Sequence, residues 1–375
     1  MKEILFGDLS REYASIKVEI DLAIQRVLDR GHFILGEECE SFEKAFAAFC
    51  SVKYCVGVAS GTDAIALSLM ALNIGNGDFV ITVPNTAVPT VSAISMVGAE
   101  PLFVDIDEKT MLLSVDKLKY MLATLPKEKL NRTKAVVPVH LYGMMCQVDE
   151  IKEAASKYNI DVIEDCAQSH GAMYNNKIAG SAGVLGCFSF YPSKNLGCYG
   201  DGGCVVTDNE DLYQRLIMLR NYGQKKRYDH KIFGVNSRLD EIQAAILKVK
   251  LGYLDEWNNK RIQLGEYYRK GLKDYPVSFQ KVSDRYTKHV YHLLVLRCNR
   301  RDELVNFLSK NAIQSLIHYP MPIYLQEAYK YLRLKEGSCP IAENTCKEIL
   351  SIPLYPYLKE EELNIIINTI KRFFG

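Results

Sequence analysis

Three stretches of this chain place polar and charged residues where an apolar strand would end, and ligands of open α/β sheets bind beyond such ends. The first is Val58-Ala59-Ser60-Gly61-Thr62-Asp63, which runs directly into a helical pattern at 64–72. Small residues with free amides at a helix start form a phosphate site, although a plain cap by Ser60 or Thr62 calls for the same residue types. The second is Val162-Ile163-Glu164-Asp165-Cys166-Ala167-Gln168-Ser169-His170, where two adjacent carboxylates close an apolar run. A buried carboxylate is costly unless it faces a cation; either a protonated heterocyclic nitrogen or a structural salt-bridge partner meets that need. The third is Ser189-Phe190-Tyr191-Pro192-Ser193-Lys194, followed by Gly197, Gly200, Gly202 and Gly203. Its Lys194 sits in a turn just after a strand. A Schiff-base lysine needs partial desolvation to free its amine, whereas a solvated loop lysine is the alternative. No G-x-S-x-G elbow is present to hold a hydrolase nucleophile.

Together the three stretches fit one chemistry. A phosphate cradle, an acid at a strand end and a lysine about one βα unit later are the parts that pyridoxal phosphate requires. The cradle anchors the phosphate, the acid keeps the ring nitrogen protonated, and the lysine takes the aldehyde carbon.

Regular alternation of elements positions these parts. Short apolar runs at 54–58, 79–83, 101–104, 135–139, 161–163, 186–190 and 203–206 read as strands. Helical patterns begin between them near Thr62, Pro89, Val115 and Asp149. Such alternation predicts a mostly parallel sheet with helices on both faces. Helical spacing also covers 16–30, stopped by Gly31, and 38–49. After residue 240 the rhythm changes to a long helical pattern over 239–268, a strand at 291–296 and helices at 301–311 and 360–373. Gly252 and Asn258-Asn259 are candidate interruptions of the long helix. The expected organisation is a large cofactor-binding α/β domain over 1–250 and a small α+β domain over 251–375.

Composition excludes several classes. The 375 residues are 48% hydrophobic and 24% charged, and 46 Lys plus Arg against 45 Asp plus Glu leave a net charge of +1. That balance suits an ordinary globule with a sizeable core. It lacks the basic footprint of a nucleic-acid or anionic-membrane binder. Charge within the first eight residues argues against a signal peptide, and no apolar run reaches transmembrane length. Eleven cysteines in no C-x-x-C pair argue against zinc sites and disulfide frameworks, so no metal is expected and reduced, buried thiols are. A cytoplasmic protein is expected.

The chain also resembles, nearly end to end, the DegT-type family of pyridoxal-phosphate-dependent nucleotide-sugar aminotransferases. The resemblance is carried by Phe33-Ile34-Leu35-Gly36, Ser60-Gly61-Thr62-Asp63, Val139-His140-Leu141-Tyr142-Gly143 and Glu164-Asp165-Cys166-Ala167-Gln168-Ser169-His170-Gly171. It continues through Ser189 to Lys194, Gly200-Asp201-Gly202-Gly203, Asn236-Ser237-Arg238-Leu239-Asp240 and His318-Tyr319-Pro320. It implies a fold-type-I aminotransferase acting as a homodimer. By this resemblance Lys194 holds the cofactor aldehyde, Asp165 pairs with the ring nitrogen and Gln168 contacts the ring region. Gly61, Thr62 and Ser189 bind the phosphate, and Asn236 reaches the phosphate of the neighbouring subunit.

Relatives that dehydrate sugars carry His at the lysine position, so Lys194 favours transamination. One position departs: family members often carry an aromatic where this chain has Ala87, and that aromatic stacks on the cofactor ring. Tyr191, Arg227, His230, His318 and Tyr319 are the candidate substrate residues, with a solvated charge run the alternative for the Lys225-Lys226-Arg227 stretch. The expected reaction moves an amino group from glutamate to a nucleoside-diphosphate-linked ketosugar. The His140 to Gly143 pattern points to C-3 of a dTDP-linked 6-deoxyhexose. Alternatives are a C-4 ketosugar, a keto-cyclitol, or a cofactor-binding regulator without turnover.

Overall fold

In the computed structural model, which describes residues 3–282, 285 and 288–375, seven strands form one sheet. Their order is Tyr54–Val58, Gly203–Thr207, Leu185–Ser189, Asp161–Asp165, Thr133–Val136, Phe79–Thr82 and Glu100–Phe103. Only Gly203–Thr207 runs antiparallel to its neighbours; the other pairings are parallel. A parallel sheet is covered on both faces, which is why its strands are apolar throughout rather than alternating. Phe79–Thr82 and Gly203–Thr207 are buried at every residue. One face packs on the helix Gly61–Ala71 through Ile65 and Leu69, joined by Ile94 and Leu216. The opposite face carries Phe42, Phe46, Phe188 and Phe190.

A second region follows. Ser278–Phe279, Leu294–Arg297 and Ile349–Ile352 form a small antiparallel sheet. The helices Leu254–Leu272, Arg301–Lys310 and Glu360–Phe374 bury Tyr268, Leu308 and Ile366 against it. Ile4 joins that core, and its amide donates to Ala312 O at 2.8 Å. The N-terminal segment thus crosses to the second region before the helix Leu9–Arg30 begins, capped by Asp8.

Expectation and structure agree on the candidate break at Gly252 and differ elsewhere, the strand expected at 135–139 running Thr133–Val136. The helical pattern over 239–268 is two helices, Glu241–Leu251 and Leu254–Leu272, broken at Gly252. Asn258 does not interrupt the second, because its buried side chain donates to His170 O at 2.8 Å and accepts from Asn195 Nδ2 at 2.8 Å. The strand expected at 291–296 starts at Leu294. Before it, Val290 N and Leu293 N donate to the Gly143 and Tyr142 carbonyls instead of to a strand. Ile349–Ile352 was not anticipated. All eleven cysteines are buried and unpaired. Among the described residues no helix is long and apolar enough to cross a membrane.

Candidate active site

The strand Asp161–Asp165 is buried from Val162 onward, and its pleat sends successive side chains to opposite faces. That alternation separates the two carboxylates. Glu164 accepts hydrogen bonds from the amides of Gly183 (2.7 Å), Ala182 (2.8 Å) and Gly180 (3.2 Å), and it lies 2.8 Å from His140 Nε2. Because His140 Nδ1 accepts the Cys146 amide at 3.0 Å, a neutral ring carries its proton on Nε2 and donates it to Glu164. Burial opposes the ionised form of Glu164, yet His140 and the amides outweigh it and hold its carboxyl below the usual range. His140, Glu164 and Cys166 could come together as metal ligands by distance, but the histidine and the carboxylate are already engaged by hydrogen bonds within the chain.

Asp165 faces the other way, into a cavity of about 290 Å³. Its Oδ2 accepts from Thr90 Oγ1 at 2.8 Å and its Oδ1 from the Ala167 amide at 3.1 Å. Thr90 is 2.9 Å from Thr86 Oγ1, so a two-hydroxyl relay backs the acid. Burial pushes the Asp165 pKa up, against the pull of Thr90, the Ala167 amide and the charge on Lys194. A cationic nitrogen in the cavity would reverse that balance.

Lys194 reaches the same cavity from the turn after Leu185–Ser189. Its neighbour Asn195 locks that turn: Nδ2 donates to Asn258 Oδ1 at 2.8 Å and to Val290 O at 3.1 Å, and Oδ1 is 3.1 Å from His292 Nδ1. Among the described residues the Lys194 amine itself has no hydrogen-bond partner. Burial brings its pKa down to about 8, with Asp165 opposing.

Ser60, Gly61, Thr62 and Ser189 close one end of the cavity. Ser60 Oγ caps the helix by accepting from Asp63 N at 3.1 Å, and the amides of Gly61 and Thr62 have no acceptor among the described residues. Gly61 must be glycine: a Cβ there would stand 2.5 Å from Ser189 Cβ. Ser237 Oγ braces the loop by donating to Asp63 Oδ2 at 2.6 Å and accepting from Ala59 N at 3.1 Å. Two free amides, a hydroxyl and a helix N-terminus suit an anion. Asp165 suits a cation, and an unpartnered amine stands between the two regions.

Gln168 lines the cavity as well. Its Oε1 accepts from Tyr142 N at 2.7 Å and its Nε2 donates to Tyr319 Oη at 3.2 Å. The His140 to Gly143 segment therefore acts from behind, His140 anchoring Glu164 and Tyr142 orienting Gln168. Ala87 lines the cavity without a ring, and Val139 and Ala167 are further apolar wall residues.

Beyond Lys194 a second chamber of about 620 Å³ opens between the N-terminal segment and the second region. Tyr191, Gln168 and Lys194 line both spaces, and His318 and Tyr319 line the chamber. His318 Nδ1 is 2.9 Å from Ser351 Oγ, and burial followed by the charge of Lys194 pushes its pKa down to about 4. Burial pushes the Tyr319 hydroxyl up to about 12. Asn236, Arg227 and His230 are not brought to either space within one chain. Asn236 is exposed and lines a separate surface hollow with Phe233 and Asp63. Arg227 and His230 lie on an exposed hairpin formed by Gln224–Lys226 and Asp229–His230. Thr90, Asp201 and His292 line these spaces without having been singled out by sequence. For Thr90 the signal was present: two threonines, at 86 and 90, one helical turn apart beside a proline.

An α/β sheet that gathers an amine, an acid and an anion cradle beyond its strand ends defines a class of cofactor-dependent enzyme. The chain belongs to the DegT/DnrJ/EryC1/StrS aminotransferase family, whose model matches residues 14–371. It is 42% identical over 368 residues to a dTDP-3-amino-3,4,6-trideoxy-alpha-D-glucose transaminase of Streptomyces venezuelae, covering 98% of this chain and 95% of that protein. It is 44% identical over 371 residues to a dTDP-3-amino-3,6-dideoxy-alpha-D-galactopyranose transaminase of Aneurinibacillus thermoaerophilus, covering 99% of each. The crystal structure of S. venezuelae DesV in complex with a ketimine intermediate superposes with a TM-score of 0.96 at 41% identity, over 100% of this chain and 99% of that one.

Proposed function

We propose that this protein is a pyridoxal-phosphate-dependent aminotransferase that moves an amino group from L-glutamate to a nucleotide-linked ketosugar. The acceptor is a dTDP-linked 3-keto-6-deoxyhexose, and the setting is deoxyaminosugar biosynthesis in the cytoplasm. The observation that carries this reading is one cavity that receives Lys194, Asp165 and the free amides of Gly61 and Thr62 together. The two transaminase relatives named above are described by 3-amino products, which supports the acceptor.

Pyridoxal phosphate, when bound, supplies an aldehyde for the amine and a ring that accepts electrons from the donor carbon. Gly61, Thr62 and Ser189 would hold its phosphate, and Asp165, backed by Thr90, would keep a proton on its ring nitrogen. Lys194 would hold the cofactor's aldehyde carbon, and the Lys194 amine, when free, would serve as base and acid for the proton at the donor Cα. Gln168, held by Tyr142 and Tyr319, bounds the ring region. Tyr191, His318 and Tyr319 offer the sugar polar contacts at the mouth of the chamber. Asn236, with Arg227 and His230 on the same connection, serves the partner subunit's site, which accounts for their distance from this one. Across the whole reaction, glutamate leaves as 2-oxoglutarate while the sugar's carbonyl oxygen is replaced by nitrogen. Residues 251–375 are taken as the small domain that walls the substrate chamber, a division supported by the core around Tyr268, Leu350 and Ile366.

The test is a product analysis. Enzyme, cofactor, L-glutamate and the dTDP-3-ketosugar should give 2-oxoglutarate and dTDP-aminosugar in equal amounts, and Lys194→Ala should give neither. Cofactor binding without product from any C-3 ketosugar, C-4 ketosugar or keto-cyclitol would leave a regulator in its place.

A further inference from the structure

The substrate chamber contains a guanidinium that forms an ion pair with no carboxylate among the described residues. Its charged lining residues are Asp8, Glu12, Lys194 and Arg261. Asp8 is paired with Arg11 at 3.1 Å and Glu12 with Lys250 at 2.6 Å. Lys194 is destined for the cofactor. Arg261 remains, on the helix Leu254–Leu272, with a residue exposure of only 7%. Its Nη1 donates to the carbonyls of Leu354 (3.0 Å), Tyr291 (3.4 Å) and His292 (3.5 Å). Its Nε is buried without a hydrogen-bond partner. Among the described residues its Nη2 has no acceptor and no carboxylate stands at ion-pair distance. Burial pushes its pKa down to about 10, with Glu12 opposing, so the guanidinium is still charged at neutral pH.

Buried guanidinium groups are ordinarily paired, because an uncompensated charge in a protein interior is strongly unfavourable. The three carbonyls orient this one and offset part of that cost, but they bring no negative charge. A missing anion on the chamber side is the simplest completion. Resting on the aminotransferase reading above, we propose that Arg261 binds the distal carboxylate of the amino donor and thereby selects a dicarboxylic amino acid.

Placement favours the distal carboxylate. Arg261 Nη1 donates to His292 O at 3.5 Å, and His292 Nδ1 stands 3.1 Å from Oδ1 of Asn195, the residue next to Lys194. Arg261 and the amine that works at the donor Cα therefore line one chamber, with His292 lining it as well. A carboxylate three bonds beyond that carbon, as in glutamate, extends from the amine into this shared space. Charge count also favours it over the sugar's diphosphate. One unpaired guanidinium matches one carboxylate, whereas a diphosphate would bring further charge towards Asp8 and Glu12. Arginine's planar fork suits a carboxylate even with one edge already occupied.

The experiment compares amino donors in the first half-reaction, followed by the absorbance change as the cofactor aldehyde becomes the amine. The probes are L-glutamate, L-glutamine, which keeps the length and loses the charge, and L-norvaline. The unmodified enzyme should prefer glutamate over glutamine by about 10- to 100-fold in second-order rate constant, the range of a charge-assisted pair. Arg261→Met should abolish that preference, and Arg261→Lys should retain part of it. Calorimetric titration of the amine form with 2-oxoglutarate should show a matching loss of affinity in Arg261→Met. A wild-type enzyme that does not discriminate glutamate from glutamine overturns the proposal even if the Met variant fails to fold. So does an Arg261→Met enzyme that keeps the preference, or one altered only towards the nucleotide sugar. An enzyme that accepts no amino acid at all instead refutes the aminotransferase reading itself.

Discussion

The recessed amine of Lys194 makes a quantitative prediction about cofactor capture. A free lysine titrates near 10.5, so at pH 7 only about one amine in 3,000 is unprotonated. Burial lowers Lys194 to about 8, which raises the reactive fraction at pH 7 to about one in ten. The deprotonated form is the nucleophile, so the rate at which cofactor-free enzyme captures pyridoxal phosphate rises with pH and levels off above the amine's pKa. The rate of appearance of the lysine-linked chromophore, measured in a stopped-flow series from pH 6 to 10.5, should bend near pH 8. Asp165 is the charge that opposes the shift, so Asp165→Asn should move the bend to lower pH. A wild-type profile still climbing through pH 10, as for a solvated lysine, would refute the claim that the turn after Leu185–Ser189 desolvates this amine. An Asp165→Asn profile bending at higher pH than the wild type would refute the electrostatic link between the two residues.

Three further outcomes are expected. Asp165→Asn should slow turnover by about 100- to 1,000-fold, the usual cost of removing one preorganised electrostatic partner, while borohydride still fixes cofactor to Lys194; turnover near normal would make the acid structural. Glu164→Gln should instead act on stability, removing the charge that three amides and His140 surround, by about 1.5–3 kcal/mol; calorimetric melting indistinguishable from wild type would contradict its assignment. Co-refolding Asn236→Ala with Lys194→Ala subunits should restore up to about half the activity per mixed dimer, because one site then carries both defects and the other neither. No recovery on mixing would place every site within a single chain.

The cavity was legible in the sequence because its parts sit at strand ends and helix starts, where local pattern is strongest. Ser60 to Asp63, Asp165 and Lys194 each close an apolar run, and the strand Tyr54–Val58 falls where the pattern put it. Residue types alone left both readings of a buried acid open at Glu164 and Asp165; the family resemblance pointed to Asp165, and the pleat supplies the physical reason for the split. Arg261 was hidden for a different reason. It lies inside a charged, amphipathic helix, where an arginine normally faces solvent; its burial depends on carbonyls contributed 30 to 93 residues later. The start of the strand Leu294–Arg297 was misplaced because 290–293 bonds to Tyr142 and Gly143, a long-range pairing that local apolarity does not encode.

The opposed carboxylates also fix what kind of sequence change this strand can absorb. Substitution at either position alters one environment and leaves the other, because the sheet stands between them. Insertion of a single residue just before Glu164 is different in kind: it would exchange the two faces, turning Asp165 away from the relay of Thr86 and Thr90 and bringing the longer Glu164 side chain towards it. The length of the run from Val162 to Asp165 is therefore as much a determinant of the chemistry as the identity of its last residue.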